Sequence, residues 1–112
     1  MKFIKNKNLK TTNANHIGEI KKKVFIKNGL VPQLTNFSSA VFQPDQQVEP
    51  HKHDTMFEIF YCTSGKIVFT IEGQECVLET EDCIIINPGE MHSLQNPFSE
   101  PAQITYFGIA TD

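Results

Sequence analysis

The sequence predicts an all-β fold, a barrel or a sandwich of short strands, and three observations carry that reading. From Leu34 onward the chain is a series of short runs rich in Val, Ile, Phe, Tyr and Thr, side chains that fit a pleated, half-buried surface. Turn-forming residues separate the runs: Pro44-Asp45, Asp54-Thr55, Ser64-Gly65, Glu72-Gly73, Thr80-Glu81-Asp82, Asn87-Pro88-Gly89 and Asn96-Pro97. No stretch repeats its apolar residues with the 3.6-residue period of an amphipathic helix. Strands this short and this closely spaced bury their apolar faces by closing on one another.

In order, the runs read as strands are residues 34–42, 48–53, 57–62, 66–71, 74–78, 83–86, 92–94 and 102–110. Ahead of them, three consecutive lysines at 21–23, flanked by Ile17, Ile20, Val24, Phe25 and Ile26, read as an exposed basic face at the beginning of a strand. Residues 11–15 are polar and read as loop, and the first ten as an added strand or a mobile arm. The organisation expected is one domain: an N-terminal strand or arm over 1–33, belonging to the barrel or to a dimer interface, and a barrel over 34–112.

Composition agrees with a single compact unit. A chain of 112 residues, 39% hydrophobic and with nine phenylalanines, holds one core and little more. The net charge of −3 supplies no basic field for phosphate backbones, so no nucleic-acid partner is expected. No apolar run approaches the ~20 residues of a membrane helix. The start, Met1-Lys2-Phe3-Ile4-Lys5-Asn6-Lys7-Asn8, is basic but turns polar where a secretion signal needs an apolar stretch, which gives a cytoplasmic expectation. Cys62, Cys76 and Cys83 are odd in number and share no CxxC spacing; they read as reduced, mostly buried small residues.

The chemistry concentrates in four residues. His51 and His53 are one residue apart, so on a strand both imidazoles point to the same side. Glu58 has the opposite parity, and one straight strand cannot bring it to the pair; a turn at Asp54-Thr55 is needed, with an adjacent strand returning the carboxylate. His92 follows the Pro88-Gly89 turn, which would lay the next strand beside the first two. Three imidazoles and one carboxylate would then face a single interior point. A lone carboxylate is costly inside an apolar barrel, whereas a divalent cation offsets that cost and takes neutral histidines as donors.

These residues also carry a resemblance. His51-Lys52-His53, four residues, Glu58, six residues, Gly65 is similar to the first motif of the cupin superfamily, and Gly89, His92 and Asn96 fit the second. Asp45, Glu81 and Asn87 stand where those motifs carry Gly, Gly and Pro, departures that fall at turns and not at the proposed ligands. The resemblance spans residues 45–96. It implies a double-stranded β-helix, or jelly-roll barrel, often dimeric, with one divalent ion (Fe, Mn, Ni, Cu or Zn) per chain on His51, His53, Glu58 and His92.

The expected partners are a small-molecule ligand or substrate and a second copy of the chain. The function expected first is that of a metal-dependent enzyme acting on a small oxygenated organic molecule, with dioxygenase-type chemistry preferred because the ligand set resembles that of cupin dioxygenases. A non-catalytic binding or sensory module is the second reading. The third is a metal-dependent isomerase or lyase, for which Glu90 or Tyr61 would move a proton. Phe60 and Cys62 share the parity of Glu58 and are candidates to line the cavity; Tyr61 and Tyr106 are candidates to offer hydroxyls; Glu90 and Met91 are placed near the pocket mouth. His16 is read as an ordinary surface or loop residue.

Overall fold

Side chains that alternate between core and solvent close the strands into two facing antiparallel sheets. The structure is a computed structural model describing residues 1–13 and 19–112, so His16 lies outside the described residues. After a single 3-10 turn at Asn6–Asn8, the strands are β1 (Thr12–Asn13), β2 (Lys21–Ile26), β3 (Leu34–Phe42), β4 (Gln47–His51), β5 (Met56–Ser64), β6 (Lys66–Ile71), β7 (Gln74–Glu79), β8 (Cys83–Ile86), β9 (His92–Gln95) and β10 (Ala102–Ala110). One sheet has the order β1-β2-β3-β10-β5-β8 and the other β4-β9-β6-β7. This is the jelly-roll barrel. No helix among the described residues is long and apolar enough to cross a membrane.

The strand spans differ from the sequence reading where neighbours decide them. β5 runs to Ser64 because β10 pairs with it that far, Gln103 lying opposite Ser64, whereas β8 pairs only with Glu58 to Tyr61. β4 stops at His51, so Lys52 and His53 leave the ladder. As an edge strand, β4 accommodates Pro50, which has no N–H to donate. Residues 12–13 join the sheet instead of remaining loop. The lysine run opens β2, whose Lys21 and Lys23 donate to Asn13 Oδ1 at 3.1 Å and Asn6 Oδ1 at 2.8 Å and so tie the N-terminal segment down.

Between the sheets lies one apolar core, with Phe42, Phe60, Ile67, Phe69, Ile86, Leu94 and Ile104 all buried. Asn96 sits among them and is fully buried. Its amide donates to the Phe42 and Glu100 carbonyls at 3.0 and 2.9 Å, and its carbonyl accepts the Phe98 N–H at 3.0 Å. It therefore staples the loop before β10, and its place in the second motif is structural. The cysteines correct the sequence reading: Cys62 is buried, but Cys76 and Cys83 are exposed, because β7 and β8 turn them away from the core.

Two of the three motif departures have a conformational cost. Asp45 and Glu81 hold φ of 71° and 73°, the left-handed region that Gly65 also adopts at 70°. These turns need that backbone whatever residue occupies them. At Gly65 a side chain is excluded outright, because a Cβ would run into the Pro101 and Ala102 backbone.

Candidate metal centre

All four residues singled out by spacing come together. One donor atom from each of His51, His53, Glu58 and His92 lies within 4.8 Å of every other. Bonds of about 2.0–2.2 Å put opposite ligands of one ion about 4 Å apart, so one divalent ion fits with small side-chain adjustments. His51 ends β4 and pairs directly with His92 at the start of β9. His53 lies just past the strand, where its carbonyl accepts the Gly89 N–H at 2.8 Å and so holds it against the Pro88-Gly89 turn.

Glu58 arrives by a route other than the expected one. β5 is not a neighbour of β4; it belongs to the facing sheet, and the carboxylate reaches across the sandwich. Its partners along the six-stranded sheet are Ile86 on β8 and Gly108 on β10. Both Glu58 and His92 are buried, while His51 and His53 are half-buried.

Hydrogen bonds fix which ring nitrogens are free. His51 Nδ1 is 2.9 Å from the Glu49 carbonyl, and His92 Nδ1 is 2.9 Å from the Glu90 carbonyl. A carbonyl only accepts, so both Nδ1 atoms carry the proton, and each neutral ring is left with a lone pair on Nε2. The Nε2 of His92 nevertheless lies 3.0 Å from Glu58 Oε1, and that of His53 lies 3.5 Å from the same oxygen. A lone pair facing a buried carboxylate repels it unless a proton or a cation stands between them. The donor set thus fits a divalent ion on the geometry of these residues alone.

The histidines respond to that field in opposite ways. Burial lowers the His53 pKa, with Glu58 opposing and His51 and His92 adding to the fall. Burial also acts downward on His92, but hydrogen bonds to Glu58 and Glu90, together with their charges, outweigh it and raise the pKa.

Beside the donors is a cavity of about 130 Å³ lined by Ala40, Phe42, Val48, His51, Glu58, Phe60, Leu94, Ile104 and Tyr106. Phe60 lines it as its parity suggested, and the Tyr106 ring stacks on Phe60 with centroids 5.3 Å apart. Burial raises the Tyr106 pKa, a hydrogen bond with Ser38 opposing, so the hydroxyl keeps its proton at neutral pH. The other sequence candidates sit elsewhere. Cys62 is in the core toward the opposite end, its thiol near the Ser64 and Gly65 carbonyls at 3.3 and 3.4 Å. Tyr61 is 41% exposed on the outer face of β5. Glu90 accepts the Asn87 N–H at 2.6 Å and closes the turn, and Met91 is exposed. Sequence reasoning missed Ala40, Phe42, Val48, Leu94 and Ile104. Leu94 shares the parity of His92 on β9; the rest needed the pairing of β3, β4 and β10 to be known.

A two-sheet jelly roll with three histidines and a glutamate converging inside it defines a cupin-type protein. The Cupin_2 family model, a cupin domain, matches residues 38–108, and the chain belongs to that family. It is 33% identical over 60 residues to an oxalate-binding protein of Thermotoga maritima, covering 54% of this chain and 50% of that protein. It is 30% identical over 76 residues to an uncharacterized HTH-type transcriptional regulator of Escherichia coli, covering 66% of this chain and 24% of the regulator. The matches thus span half or less of these relatives' own lengths. Among solved structures, a predicted oxalate decarboxylase from Thermotoga maritima superposes with a TM-score of 0.89 at 20% identity, over 97% of this chain and 99% of that one. At that identity the likeness concerns the fold.

Proposed function

We propose that the protein holds one divalent ion on His51, His53, Glu58 and His92 and is a metal-dependent enzyme acting on a small oxygenated organic molecule, with dioxygenase-type chemistry as the leading form. The supporting observation is the convergence of four donors within 4.8 Å of one another at the polar end of an otherwise apolar cavity. Bound there, the ion would polarise a ligand oxygen and, if redox-active, exchange electrons with dioxygen. His51 and His92 are held by their carbonyl partners and present Nε2 in fixed directions. Glu58 supplies the one negative charge among the four donors. The apolar wall excludes bulk water from the ligand's far side.

Proton-transfer chemistry finds less support. Apart from the donors, Tyr106 is the titratable residue lining the cavity, and it stays protonated; Tyr61 and Glu90 are directed elsewhere. Metal analysis of protein purified without a metal-affinity tag, followed by oxygen-uptake assays with small diketones, thiols and phenolic acids, tests the proposal. Stoichiometric metal with oxygen uptake is the expected result. A second reading, ligand binding without turnover, is favoured by the relative named as an oxalate-binding protein. Metal and ligand binding with no consumption of either ligand or oxygen would select it.

Two further parts of the proposal rest on features outside the cavity. The free thiols of Cys62, Cys76 and Cys83 suit a reducing, cytoplasmic setting. An apolar row crosses the outer face of the six-stranded sheet through Phe37, Phe107, Ile59 and Ile85, each paired in register with the next. Such a face supports pairing with a second copy of the chain.

A further inference from the structure

The cavity's walls and the charge at its end say more about the ligand than its oxygen content. We propose, resting on the metal site above, that the cavity selects a two-oxygen chelator of about six non-hydrogen atoms that carries a single negative charge and an apolar far end, and discriminates against a dianion of the same size.

Size comes first. A closed apolar cavity of about 150 Å³ holds benzene; this one, of about 130 Å³ and open on one side, accommodates a molecule of about six non-hydrogen atoms. Charge narrows the class. A dication and the Glu58 carboxylate leave one positive charge, which a monoanion cancels. A dianion would leave one negative charge among Ala40, Phe42, Val48, Phe60, Leu94 and Ile104, with no cationic side chain lining the cavity. The chain contains no arginine at all. Lys52, between His51 and His53, is half exposed and lies 3.7 Å from Asp54 outside the cavity. An uncompensated charge in apolar surroundings is strongly disfavoured.

Besides His51 and Glu58, the wall has one polar group to offer, the Tyr106 hydroxyl. Burial keeps that hydroxyl neutral, and Ser38, opposite Tyr106 in the β3–β10 pair, spends its own hydroxyl proton on Asn36 Oδ1 at 3.2 Å. A single neutral hydroxyl cannot replace the water shell of a second carboxylate oxygen. A methyl or short alkyl group meets the rest of the wall without loss.

Pyruvate and oxalate form a matched pair of probes. Each has six non-hydrogen atoms and two adjacent chelating oxygens, and they differ by a methyl group in place of a charged oxygen. The full chain is loaded with zinc, the loading measured by metal analysis, and each anion titrated by calorimetry, with zinc in the same buffer as the reference. The expected result is binding of pyruvate, with the oxalate-to-pyruvate affinity ratio at least about tenfold lower in the protein than for free zinc. Val48→Lys, a substitution at a half-buried edge position lining the cavity, should raise the ratio again with zinc stoichiometry unchanged. A chain that takes up no zinc overturns the metal site and this inference with it. A zinc-loaded chain that binds neither anion, or whose ratio matches or exceeds that of free zinc, overturns the selectivity alone.

Discussion

At the scale of residues, the centre is built from ring tautomers and one buried charge. Because Nδ1 of His51 and of His92 is committed to a carbonyl, every proposed imidazole bond at these two residues uses Nε2, and removing either ring should leave a gap no neighbour can fill. His51→Ala and His92→Ala are expected to weaken zinc binding by about 10–100-fold or more, and Glu58→Gln to weaken it while the barrel stays folded. His16→Ala should bind as the parent does. Isothermal titration of the metal-free proteins at equal ionic strength checks all four, and unchanged affinity in both histidine variants would sink the site.

The same residues set a pH dependence. In the metal-free chain the raised His92 pKa contributes stability that is full below the ordinary value of 6.5 and is lost as pH rises through the folded-state value. The lowered His53 pKa works the other way, its contribution being present above 6.5 and lost as pH falls through the folded-state value. Metal competes with protons for both rings, so the rise in Tm on adding zinc should be small near pH 5 and grow toward pH 8. Thermal melts with zinc and with chelator at the two pH values measure it; a pH-independent difference would show that the histidines are not ligands.

At the scale of elements, the turns are where this chain departs from its family's pattern, and the backbone shows what the departures entail. A left-handed residue other than Gly costs roughly 1–2 kcal/mol, partly offset by the greater freedom of Gly in the unfolded chain, about 0.5–1 kcal/mol. Glu81→Gly, which keeps the N–H that Glu81 donates to the Cys62 carbonyl at 2.7 Å, should therefore stabilise the protein by up to about 1 kcal/mol. Gly65→Ala meets both the left-handed φ and the Pro101 and Ala102 backbone, and should destabilise by about 2–5 kcal/mol. Urea unfolding of both variants against the parent gives the two signs.

At the scale of the whole molecule, the six-stranded sheet presents an outer face with Ile85 61% and Phe57 38% exposed. Phe25 extends the apolar row beyond Phe37, the two ring centroids being 5.4 Å apart. An exposed apolar face of this composition should be covered by a second copy. Light scattering at micromolar concentration is expected to give a dimer mass, and Ile85→Asp to give a monomer with unchanged zinc stoichiometry. A monomeric parent chain would remove the proposed interface.

The sequence by itself determined the class of fold and the membership of the four-residue cluster. Alternation and turn residues are local signals, and the placing of His51, His53, Glu58, Gly65, Gly89, His92 and Asn96 survives wherever the strands lie in space. Only the tertiary structure decided how those residues meet. Parity ruled Glu58 out of the strand of the histidine pair, but a hairpin neighbour and a strand in the facing sheet satisfy parity equally well; the choice depends on strand order, which is set by long-range packing. The same holds for the cavity wall. Whether Ala40, Ile104 or Tyr106 faces inward follows from the register of β3 against β10, and a one-residue slip would send each to the other face. The exposure of Cys76 and Cys83 was settled likewise: a small apolar residue on a strand has two faces to choose from, and only the partner sheet says which of them is the core.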